Sequence, residues 1–435
     1  MPLAERFMGT EIFKYLDMIK EMSTWPADRI RNWQDRRLRE LISHAYQNTT
    51  YYREIFDKCG LDPSDIQGID DLSKIPVLTK SDILNAPQKF LPKNIADIPH
   101  KEHATGGSSG DPLQYLLDRR SYNYLTAMRY YHLMKAGYQF GDPLFIIGSG
   151  NVVPGDKISL KYKIFYRLNR RINVDGVNMS DEISDRFLKL IKHKKIKYIT
   201  GYATPIYLLA CRAEATNLAL PHIRACFTTA EMLHDHYRGK IRSVFRCKVI
   251  DGYGAGDGAL SAYESEKGSY EAGYNAIYEV DSTSGDRYTG DLLATDLLNF
   301  ATPFIRYRIG DSISLLNPED AIKYYNGQII TKIWGRSSEF IRLENGHILT
   351  VSPFTHLFRK IKAKAYRIKK VGPMKLECEI QKTALYDQNQ ENLLKTAFKK
   401  HAGADCELII TYVKELKPLA SGKRDYFISD TEHQG

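Results

Sequence analysis

The stretch KYITGYATPIYLLACRAEATNLALPHIRACFTT (197–229) reads as strand, helix, strand. KYITGY (197–202) and RACFTT (224–229) are short apolar runs, and TPIYLLACRAEATN (204–217) between them has a helical pattern. The alternation continues on both sides. PLFIIG (143–148) and the helical DEISDRFLKLIKHKK (181–195) precede it, and CKVIDGYG (247–254) and DLLATDL (291–297) follow. Strand–helix alternation of this kind predicts an α/β core over residues 140–340.

Outward from that core, residues 1–60 read as helical, with Ile30, Trp33, Leu38, Leu41 and Ile42 at spacings near three and four. The Asp-, Pro- and Ser-rich stretch 60–83 reads as turns and caps, and Thr79-Lys-Ser-Asp opens a further helix. After IWGRSSEFIRLENGHILT (333–350) the composition shifts. There the strands KLECEI (375–380) and CELIITYV (406–413) flank a helix, NQENLLKTAFKKHA (389–402). The expectation is a large N-terminal α/β domain, 1–337, and a small α+β domain, 338–435, with no internal repeat.

Composition sets the class. The 435 residues suggest two or three domains at roughly 150 residues each. The chain is 43% apolar and 26% charged, which excludes disorder, collagen and coiled coil as overall descriptions. There is no run of 18 apolar residues for a membrane span and no secretory signal at the N-terminus. Sixty-two Lys and Arg against 52 Asp and Glu give a net charge of +10, which permits an anionic substrate. The basic runs RKIKAKAYRIKK (359–370) and KHKKIK (192–197) read as solvated faces rather than a nucleic-acid surface. The six cysteines (Cys59, Cys211, Cys226, Cys247, Cys378 and Cys406) form no CxxC pair and have no His at zinc-ligand spacing. They read as small core residues in a reducing cytoplasm, without disulfide or zinc.

Four segments carry candidate chemistry. ATGGSSGDPLQY (104–115) packs glycines and hydroxyls so that backbone N–H groups can wrap phosphate oxygens, although it lacks the GK[ST] ending and also reads as a plain surface turn. KVIDGYGAGDGALSAYE (248–264) matches G-x-G-x-x-A at Gly254, Gly256 and Ala259, which invites a nicotinamide-dinucleotide reading, but 260–275 has no clear helical period for the helix that motif needs. In TDLLNFATPFIRYRIGDSISL (295–315), the string from Ile305 ends an apolar strand with Arg306, Arg308 and Asp311. A carboxylate there can accept from two ribose hydroxyls, and an ion-paired edge strand is the plainer reading. Finally, Lys423 projects from a Ser-Gly turn in ASGKRDYFISD (420–430).

In this order and spacing the four segments resemble the adenylate-forming superfamily of acyl-CoA synthetases and adenylation domains. The branch they look like is the phenylacetate–CoA ligase type with its CapK relatives, over residues 75–430. The resemblance implies a phosphate-binding loop at Thr105, Gly107, Ser108, Ser109 and Gly110, and an adenine-lining segment at Ala230 and Glu231. It implies further nucleotide contacts at Asp251, Tyr253 and Gly254, with Tyr253 stacking on adenine and Asp257 helping to hold Mg²⁺. Asp311 is expected on the ribose with Arg336 assisting, Ser338 at the hinge, and Lys423 as the catalytic lysine of a mobile C-terminal domain. The implied activity is ATP-dependent adenylation of a small carboxylic acid, followed by transfer to CoA, a carrier-protein thiol or an amine. A nucleotide-binding relative without ligase chemistry is the alternative.

Asp257 stands where the family usually has Glu and reaches one carbon less. Ser338 stands where Asp or Lys is usual. The stretch AYESEKGSYEAGYNAIYEV (262–280) has no cysteine where some relatives hold zinc, so none is expected. The N-terminal helices suit a homodimer.

Overall fold

A computed structural model describes residues 10–104, 113–148, 164–167, 169–176, 179, 181–265, 268–282, 288–321, 325–336, 340–344, 348–350, 361–383, 385–414, 416 and 427–428. Three helices open the chain: α1 (Ile12–Met22), α2 (Ala27–Asn48) and α3 (Thr50–Cys59). The three-and-four spacing is the cause of α2's packing, because it buries Ile30, Trp33, Leu38, Leu41 and Ile42 on one stripe. The Thr49 side chain caps α3, and Gly60, at φ 64°, ends it in the left-handed region. Thr79 and Asp82 cap α4 (Lys80–Asn85) reciprocally, as the TKSD signal implied. A hairpin, β1 (His100–Ala104) and β2 (Gln114–Asp118), leads into α5 (Arg119–Lys135).

The α/β core follows. Strands β3 (Leu144–Gly148), β4 (Arg171–Asp175), β5 (Tyr198–Tyr202), β6 (Ala225–Thr229) and β7 (Lys248–Ala255) pair in parallel in the order β4-β3-β5-β6-β7. Their crossovers include α6 (Asp181–His193), α7 (Ala203–Ala215) and α8 (Asp235–Phe245). Phe145, Ile147, Phe187, Leu188, Ile199, Ile206 and Leu209 share one buried cluster between strands and helices. Strands buried on both faces need continuous apolar runs, which is why PLFIIG and RACFTT were legible.

Antiparallel strands then extend the same sheet to eleven: β8 (Leu260–Glu264), β9 (Tyr270–Ala272), β10 (Ala276–Asp281), β11 (Thr289–Asp296), β12 (Tyr307–Leu315) and, after the short α9 (Pro318–Ala321), β13 (Ile329–Arg336). Here one expectation is corrected. The Ile305–Asp311 string does not end an apolar strand. β11 stops at Asp296, residues 297–306 form a loop, and Asp311 lies in the middle of β12, paired in register with Arg336.

Beyond β13, β14 (Phe340–Arg342) pairs with β15 (Ile348–Thr350). A four-stranded sheet in the order β18-β17-β16-β19 is built from β16 (Ala363–Gly372), β17 (Lys375–Lys382), β18 (Glu407–Tyr412) and β19 (Phe427–Ile428). It packs with α10 (Gln388–Ala402) around Ile368, Leu376, Cys378, Leu394 and Phe398. The basic run of β16 faces acids on β17: Lys369 lies 2.6 Å from Glu379, and Arg367 lies 3.5 Å from it. At the end of α6, Lys192, Lys194 and Lys195 are exposed. Cys226 and Cys247 are neighbours, with Sγ atoms 3.6 Å apart, and all six thiols are free. No helix among the described residues is long and apolar enough to cross a membrane.

Candidate active site

Parallel strands present their carboxyl ends to one edge of a sheet, which is where open α/β folds bind ligands. On this chain that edge carries Thr229 at the end of β6 and the second half of β7. Tyr253, on β7, donates its hydroxyl to Asp311 Oδ2 at 2.6 Å. The bond ties the last parallel strand to β12 and sets the carboxylate half-buried at the edge. Arg336 stands opposite Asp311 in the β12–β13 register. Three predicted residues from distant parts of the chain are thus drawn together.

The arginines beside Asp311 have other duties. Arg306, in the left-handed region at φ 53°, bonds both oxygens of Glu279 at 3.1 Å and the Ile75 carbonyl at 2.6 Å. Arg308 pairs with Asp281. The ion-pair reading therefore holds for the arginines, and of the charged residues of that string Asp311 is the one at the site. The rest of the string is architecture. Asn299 accepts from the Asp118 N–H at 3.0 Å, and Thr302 accepts from the Leu116 N–H at 3.1 Å, so the loop clamps β2. Asp296 is buried against Ser121 Oγ at 2.7 Å, and that burial raises its carboxyl to about 6.

After β7 comes a turn, 256–259, which returns the chain antiparallel as β8. A hairpin here removes the helix a dinucleotide motif requires, so the G-x-G-x-x-A match has no structural counterpart. The turn carries Asp257. A Cβ on Gly256 would come 3.3 Å from both the His103 ring and the Tyr115 hydroxyl, and a Cβ on Gly258 would come within 2.2 Å of the Ile309 side chain. The turn is therefore wedged between the β1–β2 hairpin and β12, tight at Gly256 and with no room for a side chain at Gly258.

His103 and Tyr115 were not singled out from the sequence. They are register partners on β1 and β2, with rings 5.3 Å apart. Tyr115 is 5% exposed, and among the described residues its hydroxyl has no hydrogen-bond partner, nor has the buried His103 Nδ1. Burial first, then the Asp257 charge, pushes the Tyr115 hydroxyl well above its ordinary value. Burial, then Lys101, lowers the His103 imidazole. Two unsatisfied polar groups beside a carboxylate mark a place prepared for a polar ligand, because each costs about 1–3 kcal/mol while unpaired. Thr105, Gly107, Ser108, Ser109 and Gly110 lie outside the described residues, but the strands flanking their loop put its roots beside Asp257. Ser338 and Lys423 also lie outside the described residues.

Four further predicted positions, Asp251, Glu231, Ala230 and Gly254, have the following settings. Asp251 is 8% exposed and accepts from the Thr228 hydroxyl and, at 2.7 Å, from the Tyr270 hydroxyl. Burial pushes its carboxyl up while those two bonds pull the other way. Glu231 accepts from the Thr204 N–H at 2.8 Å, so it caps the N-terminus of α7. Ala230 adopts a left-handed backbone at φ 63°, a strained conformation found at ligand clamps. Gly254 would meet only an ordinary 3.5 Å contact as alanine.

No family model matches the chain. Protein CapK of Staphylococcus aureus is 25% identical over 411 residues, covering 91% of this chain and 88% of CapK. A phenylacetate-coenzyme A ligase of Pseudomonas putida is 26% identical over 348 residues, 74% of each protein. The crystal structure of an open conformation of 2-hydroxyisobutyryl-CoA ligase, in complex with 2-HIB-AMP and CoA, aligns with a TM-score of 0.65 at 16% identity, over 94% of this chain and 93% of that one. The fold is that of the adenylate-forming ligases, with a large N-terminal and a small C-terminal domain. In sequence the chain is similar to CapK and to phenylacetate-coenzyme A ligases over most of its length.

Proposed function

We propose that this chain is an ATP-dependent, AMP-forming acid–thiol ligase. It joins a small carboxylic acid to AMP, releases pyrophosphate and passes the acyl group to CoA. The observation that carries the reading is the Tyr253–Asp311 pair at the carboxyl edge of the sheet, with Arg336 in register. The likeness to CapK and to phenylacetate-coenzyme A ligases, over most of the chain, supports it.

A carboxylate cannot lose oxide, so its oxygen must first become part of a better leaving group. One carboxylate oxygen attacks the α-phosphorus, the bond from that phosphorus to pyrophosphate breaks, and an acyl phosphate anhydride remains. The thiol then attacks the acyl carbon, AMP departs with the electron pair of the C–O bond, and the thiol proton goes to solvent. Both first-step reactants are anions, so fixed dipoles and cations must offset their repulsion. In this chain, Asp311 would hold the ribose hydroxyls and orient the α-phosphate. The 105–110 loop would wrap phosphate oxygens, and Tyr115 and His103 would donate to an oxygen beside it.

Mg²⁺ fits the donor set. Asp257 is a hard oxygen ligand next to the loop, and Mg²⁺ usually takes one or two carboxylates with substrate phosphates and water. Among the described residues no group of three or more His, Cys, Asp and Glu could hold a metal, so this chain would share the ion with the triphosphate. When bound, the ion neutralises phosphate charge. We place the domain boundary at 337/338, with Ser338 as hinge and Lys423 as the lysine that the small domain brings in for adenylation and withdraws for thiol entry.

The test is pyrophosphate release with Mg-ATP, hydroxylamine and a panel of aryl, fatty, amino, hydroxy and uronic acids. Release with one acid class, abolished in Asp311→Ala, is expected. ATP binding without release from any acid would favour a nucleotide-binding relative without ligase chemistry. Absence of ATP binding would overturn the reading.

A further inference from the structure

A cavity of about 1120 Å³ opens at the other end of the parallel strands. Arg224 immediately precedes β6, and Arg246 and Lys248 flank the start of β7; all three line it. Five strand residues at roughly 3.3 Å each separate Arg224 from Ala230, so about 16 Å of sheet lies between this cavity and the nucleotide edge. The two sites do not overlap.

Helix α8 supplies the rest of the charge. Arg238 and Arg242 stand four residues apart on one face of it, and Arg246 follows at its C-cap. Arg246 sits at φ 51°, where a glycine would avoid about 1 kcal/mol of strain. The acids on the wall are already engaged. Glu264 bonds Arg238 at 2.8 and 3.1 Å, and Glu271 bonds Lys135 at 2.6 Å. Arg242 and Arg246 have no ion-pair partner among the described residues, and Arg224 reaches the Tyr198 hydroxyl at 3.5 Å. Arg224, Arg242 and Arg246 carry like charges on one rim and repel each other, and a bound anion relieves that repulsion.

A buried histidine adjoins the same space. His132 lines the cavity, is 4% exposed and stacks on Tyr263 with ring centroids 4.6 Å apart. Its buried Nε2 has no hydrogen-bond partner among the described residues. Burial, then the Lys135 charge, lowers the imidazole to about 3, so the ring is neutral and offers one donor and one acceptor nitrogen.

We propose that this cavity is a second binding site, for a small organic molecule carrying two or more phosphate groups. Arg224, Arg242 and Arg246 take the phosphates, and His132 hydrogen-bonds a polar group on the organic part. The cavity volume is that of a small-molecule site rather than of a nucleic-acid or lipid surface. The site stands independently of the ligase reading.

The experiment is isothermal titration of the full chain with inorganic tripolyphosphate and, separately, fructose 1,6-bisphosphate. Binding of both is expected in the wild type and in Asp311→Ala. At least a tenfold loss for both is expected in Arg242→Ser with Arg246→Ser. Both arginines are exposed, so an unchanged melting midpoint checks that this variant folds. His132→Phe is expected to weaken the bisphosphate and leave tripolyphosphate unchanged. Wild-type affinity in the double arginine variant would overturn the proposal, as would absence of binding by either probe. Retention of DNA or anionic vesicles that tripolyphosphate does not compete away would also overturn it, in favour of a macromolecular surface.

Discussion

Replacing Asp311 by Asn tests the site at its best-defined bond. The Asp311 carboxylate already accepts from Tyr253 at 2.6 Å. A carboxylate has about four acceptor positions, so two remain in reach of a ribose diol. The amide removes the charge and turns one accepting edge into a donor. Hydrogen bonds to a charged group contribute about 1.5–3 kcal/mol each, so losing two weakens transition-state binding by about 3–6 kcal/mol. At 1.36 kcal/mol per factor of ten, kcat/KM for ATP should fall by about 10²–10⁴ in pyrophosphate release trapped with hydroxylamine. Tyr253→Phe keeps the ring and loses one bond, so about tenfold or less is expected. Because the two residues share that bond, the double variant should lose less than the sum of the singles. A kcat/KM for Asp311→Asn within a factor of about three of wild type would refute the ribose assignment, since it corresponds to less than 1 kcal/mol.

The buried Asp296 makes the fold sensitive to pH. Its folded value of about 6 lies above the ordinary 3.8, so its contribution is fully present below about pH 4 and is lost as pH rises through 6. Asp296→Asn should remove that loss, which is worth about 3 kcal/mol between pH 4 and 7; parallel wild-type and variant stability curves in urea would show the reasoning wrong. Arg306→Leu leaves Glu279 without its cation in a setting where burial already raises the carboxyl, so a loss of about 3 kcal/mol is expected, read as a lower melting midpoint and partly recovered at acid pH. Glu231→Ala should cost about 1 kcal/mol of stability through the uncapped α7, while the KM for ATP stays within about twofold; a tenfold rise in KM would make Glu231 a nucleotide contact instead.

The parallel core was legible because its strands are buried on both faces and its helices keep a 3.6-residue period, as 197–229 shows. The N-terminal helices and the cap at Thr79 were legible for the same local reasons. The extent of β12 was not. Phe304 and Ile305 are fully buried but belong to a loop, and apolar composition alone does not separate a buried loop from a strand. Asp311 was identified through family resemblance, and its partner Tyr253 was named for another role. Their contact spans 58 residues, and no periodicity encodes it. The hydrogen bonds of Asp251 were hidden likewise, since Thr228 and Tyr270 reach it from β6 and β9. His103 and Tyr115 carried no signal beyond flanking a glycine-rich loop, and only their burial without partners sets them apart.

The loop between β11 and β12 fixes two things at once. Asn299 and Thr302 grip β2, the strand that follows the 105–110 loop, and nine residues beyond Thr302 the same segment delivers Asp311. On the proposed function, one end of this segment locates the triphosphate and the other locates the sugar. It is a ruler for the nucleotide. Residues 303–306, held at Pro303 and Ile305 by the Tyr52 hydroxyl of α3 and at Arg306 by Glu279, keep its length from changing. Insertion or deletion of a single residue there would leave every contact residue in place and still put the phosphates out of step with the ribose.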